Sequence, residues 1–578
     1  MSTLPFNTNS LAQLVLLLGT LAVLIKPLGR YIVRVYSNQM VFLDVIVAPI
    51  EEALYRFAKI NPSKEMSWTQ YAGALLTAGF GGFLLLFGIL KCQGFLPLNP
   101  QGLGNLSDDL AFNIAASFTT NTNWQSYTGE ATLSQFSQMF GLTVQNFLSA
   151  SMGMAVGIAL IRGIVRKNSK AIGNFWVDWL RGALYILLPL SLVMALILGS
   201  QGVIQNFNAD VLAVNLEAGS QPIPGGPVAS QVAIKQLGSN GGGYFNANSA
   251  HPFENPNALT NFLELLAILL IPTTFCYAFG LMVNDKRQGW AILLAMTLVF
   301  VPLYLFGVYQ EQQGNPLLST LPIEQRANPS QTGGNMEGKE TRIGIVNSVL
   351  WASATTATSN GSVNSMHDSY TPLGGLVTLL FMMLGEIIYG GVGTGLYGII
   401  VYIFITVFIA GLMVGRTPEY LGKKIQAFEI KMASLCIILP VMTILFGTAV
   451  TIMSHEGANS VQNAGAQGFS EIVYALTSAS ANNGSAFAGL NTNTPFYNVL
   501  LGICMLLNRF WTIIFVLAIS GSLASKQITP ATAGTLSTHS LLFVLFLVGI
   551  IIMIGILTYI PTLTLAPISE YFLMSSMQ

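Results

Sequence analysis

Four short runs of serine, threonine, asparagine and glycine interrupt an otherwise apolar chain: AASFTTNTNWQ (115–125), IKQLGSNGGG (234–243), ATTATSNGS (354–362) and ALTSASANNGS (475–485). Each follows a stretch long enough for half a helix and lies between two long hydrophobic segments; the second continues into the polar, glycine-dense loop Gly238 to Pro256. In hydrocarbon an unpaired N–H or C=O costs several kcal/mol, so irregular backbone is tolerated only where it is buried in protein or lines a water-filled cavity. A re-entrant pore loop is such a place. A dehydrated alkali cation needs a ring of oxygen dipoles in place of its water shell, and backbone carbonyls supply one. Glycine lets the loop turn those carbonyls inward through conformations with positive φ, and small polar side chains satisfy the remaining backbone groups from behind. No carboxylate lies within the four clusters, which argues against a divalent ion. The expected ion is large and monovalent, with potassium favoured over sodium.

Matched by residue type, the clusters place Asn123, Asn240, Asn360 and Asn483 in one register, preceded by Thr122, Ser239, Ser359 and Asn482. One such cluster is an ordinary extracellular turn as readily as a site. Four in equivalent positions, recurring about every 120 residues as span, pore loop, span, point to internal repeats that surround one axis, with a transport site where they meet.

The elements that must hold these loops are membrane helices. The chain has 578 residues, 52% hydrophobic and 8% charged, with a mean hydropathy of +0.61, whereas soluble domains carry roughly a quarter charged residues. About ten segments reach the ~20 apolar residues a span requires, near 11–36, 70–94, 134–161, 172–199, 259–283, 289–310, 371–415, 430–454, 496–524 and 539–566. The expected fold is an all-α polytopic membrane protein of four span–pore-loop–span repeats in pseudo-fourfold arrangement, with one extra helix at each end. The units are 1–69 (extra helix and loop), 70–170, 171–287, 288–429 and 430–530 (the four repeats), and 531–578 (extra helix). Basic residues collect beside alternate span ends, at Arg56, Lys59 and Lys64, at Arg162, Arg166, Lys167 and Lys170, at Lys286 and Arg287, at Arg416, Lys423, Lys424 and Lys431, and at Lys526. By the positive-inside rule these loops are cytoplasmic, and an even span count leaves both termini outside. The N-terminus has no basic residue before its first apolar run, so that run reads as a retained span rather than a cleaved signal. The net charge of zero gives no sign of a nucleic-acid partner, and the four cysteines lie singly in apolar segments.

Other charges and glycines bear on function. Arg509 falls near the middle of the ninth span, where a charge costs roughly 2.5–3.5 kcal/mol; it either faces the pore and repels or redirects the cation, or snorkels to an interface. Glu264 and Glu386 are intramembrane and are either functional or paired for helix packing. GGVGTG (390–395) interrupts the over-long seventh segment, and marks either a broken, gate-like helix or close helix contact through small residues. Gly393, Gly395 and Gly398 match GxGxxG, and Gly333 to Glu340 nearly matches a phosphate loop. No βαβ context surrounds the first, and in the second Glu340 stands where the motif needs a hydroxyl residue, in a loop expected outside. No DKTG phosphorylation sequence occurs, so no nucleotide is expected on this chain.

Taken together, TNTNWQSY, GPVASQVAIKQLGSNGGGYFNANSAHPFENP, NMEGKE, MHDSYTPLGG, GRTPEYLGKKI and NNGSAFAGL resemble the potassium-transporting A subunits of Kdp-type ATPases, in the superfamily of potassium transporters related to Trk, Ktr and HKT proteins. The resemblance runs from the first span to the last. It implies a non-hydrolytic subunit of the bacterial plasma (inner) membrane that takes K+ from outside and passes it through the membrane to a separate P-type ATPase subunit, with a small single-span subunit and a very small membrane peptide completing the complex. It maps the filter onto Thr120, Asn121, Thr122 and Asn123; Gly238, Ser239, Asn240 and Gly241; Thr358, Ser359, Asn360 and Gly361; and Ala481, Asn482, Asn483 and Gly484. It assigns gating or coupling to Gly390, Gly391, Gly393, Gly395, Arg416 and Arg509. The first loop departs from the wider superfamily in lacking a filter glycine, and the third has Asn360 where some relatives carry cysteine. The other reading of the same residues is an autonomous K+ channel or ion-coupled symporter of the Trk, Ktr or HKT kind.

Overall fold

The computed structural model describes residues 8–576 apart from 215, 217–218, 329–330, 332 and 531–535; the expected start of the last unit, at 531, lies outside the described residues. Ten helices among them are long and apolar enough to cross a membrane: Asn9–Tyr36, Trp68–Phe95, Ser137–Val165, Phe175–Ser200, Ala258–Met282, Lys286–Leu318, Thr394–Val414, Ala427–Met453, Pro495–Ser525 and Leu541–Ser576. Between them stand four shorter helices, Asp108–Thr119, Val228–Leu237, Gly344–Ala357 and Ala466–Ala481, each leading straight into one of the polar clusters. The architecture is therefore span, pore helix, polar strand, span, four times over, with one extra spanning helix at each end. Prolines inside spans, Pro272, Pro302 and Pro440, are tolerated because surrounding protein satisfies the freed carbonyls.

The seventh apolar segment is two helices, Pro372–Met383 and Thr394–Val414, and the break expected around GGVGTG begins already at Gly385. Its intervening turn has positive φ at Gly385, Glu386, Tyr389, Gly390 and Gly393, which no helix accommodates. An additional amphipathic helix, Asp44–Phe57, follows the first span; its buried Val47, Glu51 and Tyr55 recur every four residues, a spacing that covers one helical face.

The basic loops gather at one end of the molecule. Arg166 pairs with Glu65 at 2.5 Å, and Lys526 with Glu429 at 2.6 Å. Lys423 donates to the carbonyls of Leu523 and Lys526 at 2.9 and 2.7 Å. Deeper at this end, Arg162 grips Asp178 with two bonds of 2.5 and 2.8 Å, and Tyr71 donates to the same carboxylate at 3.0 Å. Asp178 is buried, so neutralising it strands the guanidinium in low dielectric. Asp178→Asn is expected to destabilise the protein by about 3 kcal/mol, read as a lowered melting temperature in detergent.

Candidate functional site: a ring of four polar strands

Each pore helix terminates where its polar strand begins, at Thr120, Gly238, Thr358 and Asn482. Helix C-termini carry a partial negative charge of about half an electron, so four of them converging on one place favour a cation there. Backbone hydrogen bonds then fix the strand register. The amides of Thr122, Asn240 and Asn483 return to the carbonyls of Ser117, Lys235 and Ser478 at 2.9, 2.8 and 2.8 Å. The first strand therefore lies one residue away from the match by residue type: Thr122, not Asn123, stands with Asn240 and Asn483. Asn123 consequently occupies the place held elsewhere by Gly241, Gly361 and Gly484. All four have positive φ, 55°, 92°, 81° and 104°, and asparagine is among the few residues that tolerate that region. The glycine absent from the first strand is replaced by a residue that also tolerates positive φ.

The strands close on one another in sequence order. A Cβ added to Gly241 would collide with the Asn360 carbonyl, one on Gly361 with the Asn483 carbonyl, and one on Gly484 with the Thr122 carbonyl. The asparagine side chains lace neighbouring strands from behind. Asn121 donates to the Ser239 carbonyl at 2.8 Å, and Asn240 to the Asn121 side chain at 2.5 Å. Asn360 donates to the Lys235 carbonyl at 3.1 Å. Asn483 donates to the Thr355 and Thr358 carbonyls at 2.9 and 3.0 Å, and Asn482 to the Thr122 hydroxyl at 2.9 Å. Every one of these groups is buried.

The third strand is the exception. Thr358 is extended (φ −98°, ψ 161°), and the Ser359 hydroxyl donates to Glu386, which stands in the turn between the two halves of the seventh segment. Beneath the ring is a cavity of about 110 Å³ lined by Ser359, Glu386, Thr394, Tyr397, Asn482 and Arg509 among others. Arg509 is 3% exposed, so it does not snorkel to an interface. The Oε1 atom of Glu386 has no hydrogen-bond partner within the described residues. Glu264, by contrast, accepts from Gln236 and Ser249 at 2.9 and 3.0 Å behind the second strand and is not among the residues lining the cavity. The glycines of the break are tightly enclosed: a Cβ on Gly390 would strike Gly395, one on Gly395 the Tyr389 carbonyl, one on Gly391 the Thr394 hydroxyl, and one on Gly393 the Gly153 carbonyl of the third span. Broken helix and close packing are thus the same feature. Arg416 is exposed in the loop that follows Val414.

Sequence reasoning missed the groups that brace the ring from outside. Ser485 donates to Asn483 Oδ1 at 2.6 Å, its hydroxyl meets Tyr474 at 2.9 Å, and Tyr474 meets His367 Nδ1 at 2.9 Å. His367, in the loop after the third strand, is held neutral: burial, and then the Lys339 ammonium nearby, push its pKa down from 6.5 to about 3. With the folded value below the unfolded one, the unfolded chain takes up the proton first. This contribution to stability is complete above pH 6.5 and is lost as pH falls toward about 3, at up to ~1.4 kcal/mol per pH unit. The fall in melting temperature from pH 7 to pH 5 is expected to be smaller in His367→Gln than in wild type.

The described residues thus form a polytopic helical bundle whose four polar strands close into a ring above a small cavity. The family model described as "Potassium-transporting ATPase A subunit" matches residues 15–572, and the chain belongs to that family. Among its relatives, the potassium-transporting ATPase potassium-binding subunit of Herpetosiphon aurantiacus is 56% identical over 98% of this chain and 100% of its own length. That of Sorangium cellulosum is 55% identical over 97% of this chain and 99% of its own. The crystal structure of the potassium transporter TrkH from Vibrio parahaemolyticus aligns with a TM-score of 0.48 at 15% identity, covering 75% of this chain and 83% of TrkH.

Proposed function

We propose that this chain is the potassium-binding, non-hydrolytic subunit of a Kdp-type ATPase, and that Thr120–Asn123, Gly238–Gly241, Thr358–Gly361 and Ala481–Gly484 form its K+ filter. The observation that carries this reading is the closed ring itself: buried backbone at four equivalent places, each glycine or Asn123 at positive φ, above four helix C-termini. Potassium enters from outside, exchanges its water for the ring's oxygens and reaches the cavity beneath. There Arg509 supplies a fixed positive charge that bars straight passage, and Glu386 with the Gly390–Gly395 turn forms the floor. The ion leaves sideways to a separate P-type ATPase subunit, which hydrolyses ATP; Arg416, at the cytoplasmic end of the broken helix, lies where it can couple the two. A small single-span subunit and a very small membrane peptide complete the assembly. It resides in the bacterial inner membrane with the basic loops cytoplasmic and both termini outside, and this chain holds no nucleotide.

Two measurements test the reading. The purified chain is expected to bind K+ in preference to Na+, and ATP hydrolysis by a reconstituted complex with the P-type subunit is expected to rise on K+ addition. Absence of K+ binding, or hydrolysis indifferent to K+, would contradict it.

A further inference from the structure

One position breaks the fourfold pattern behind the ring. The residues whose carbonyls take the returning strand amides, or stand in the same register, are Ser117, Thr355 and Ser478 in three repeats and Lys235 in the second. The three hydroxyls bond locally: Ser117 donates to the Trp124 carbonyl at 2.9 Å, Thr355 meets Asn360 at 3.2 Å and Ser478 receives the Gly484 amide at 2.9 Å. Lys235 instead buries an ammonium, paired with Glu254, each side chain 0% exposed.

The pair does little for the fold as such, because a buried ion pair is often no more stabilising than apolar residues of the same size. Its geometry has a specific consequence. The Lys235 ammonium donates to Asn248 Oδ1 at 2.7 Å, and Asn248 Nδ2 donates to the Gly241 carbonyl at 2.8 Å. The two ends of an asparagine amide have nearly the same shape, and a cation beside one end makes that end the oxygen. The NH2 end must then face Gly241. Meanwhile the Lys235 carbonyl accepts the Gly241 amide at 3.1 Å, and Glu254 Oε1 accepts the Phe245 amide at 2.9 Å, pinning the loop that carries Asn248. Lys235 thus holds Gly241 at both its N–H and its C=O, and Gly241 is the residue pressed against the Asn360 carbonyl of the third strand.

We propose that Lys235, Glu254 and Asn248 form a positioning network that fixes the Gly241 carbonyl and thereby sets the filter's discrimination among monovalent cations. A carbonyl tied from behind cannot follow a smaller ion inward or yield to a larger one. The proposal rests on the filter reading above.

The test is equilibrium binding of radiolabelled rubidium to the purified chain, displaced by K+ or Na+. The variants are the charge-neutral pair Lys235→Met with Glu254→Gln, and Asn248→Gly, which removes the amide while suiting the φ of +54° at that position. Each is expected to change the ratio of Rb+ to K+ dissociation constants by about tenfold, the worth of one charge-supported hydrogen bond, in protein that melts as a folded species. A wild-type ratio in folded Asn248→Gly overturns the proposal, whether or not the double variant folds. Gly361→Ala separates the two levels of the argument. If it shifts the ratio while Asn248→Gly does not, the network is only structural and the filter stands. If neither shifts it, the filter assignment falls and the network with it.

Discussion

Alanine at Gly361 is expected to weaken K+ binding by ten- to a hundredfold and to erode selectivity against Na+ and Rb+, with K+ affinity and ion competition in the purified protein as the readout. The added methyl meets the Asn483 carbonyl, and the position has φ +81°, so neither the neighbouring strand nor the backbone has room to accept it. Overpacking of this kind costs about 1–3 kcal/mol. Because the obstacle is an oxygen of the ring itself, the cost falls on the site rather than on the distant bundle. Gly241→Ala is expected to act in the same direction through the Asn360 carbonyl. An unaltered ion ratio in either folded variant would count against the ring as the selective element.

Arg509→Gln is expected to leave K+ affinity at the ring within a few-fold and to lower coupled transport about tenfold or more. The buried Arg509 side chain lines a small cavity, and at separations of several ångströms an unscreened charge contributes about 2 kcal/mol even at an effective dielectric of 20. Removing it lets a cation reside below the ring instead of moving on. The measurement is K+-stimulated ATP hydrolysis alongside ion uptake by the reconstituted complex; hydrolysis that persists while uptake falls is the expected signature. If binding, hydrolysis and uptake all match wild type, Arg509 does not direct the ion.

The sequence made the four loops conspicuous for a physical reason: polar backbone between apolar spans demands an aqueous or protein-lined place, and the repetition showed that the four belong together. Register was less legible. TTNTN alternates two residue types, so matching by type put Asn123 with Asn240. The bond from the Thr122 amide to Ser117 shows that Asn123 stands at the glycine position. Asparagine's tolerance of positive φ was the available signal, and it favours the shifted register. The broken seventh helix was announced by GGVGTG, yet the break begins earlier, at Gly385 and Glu386, where a single glycine gives no such warning. Arg509 was visible as a costly charge, but only burial distinguishes a cavity-facing arginine from a snorkelling one. Lys235 and Glu254 lie 19 residues apart across a loop. Nothing in composition or period joins them, since the pairing is created by the way Gly238 to Pro256 folds back behind its own pore helix.

The most direct test of the account is K+ flux into liposomes containing this chain alone, after the same preparation has been shown to bind K+ over Na+. Binding without flux is expected: an intact ring, with the exit below it closed until a partner subunit receives the ion. Flux down the gradient, without ATP or any partner, would make the chain a self-sufficient channel or symporter and contradict its reading as one subunit of a pump.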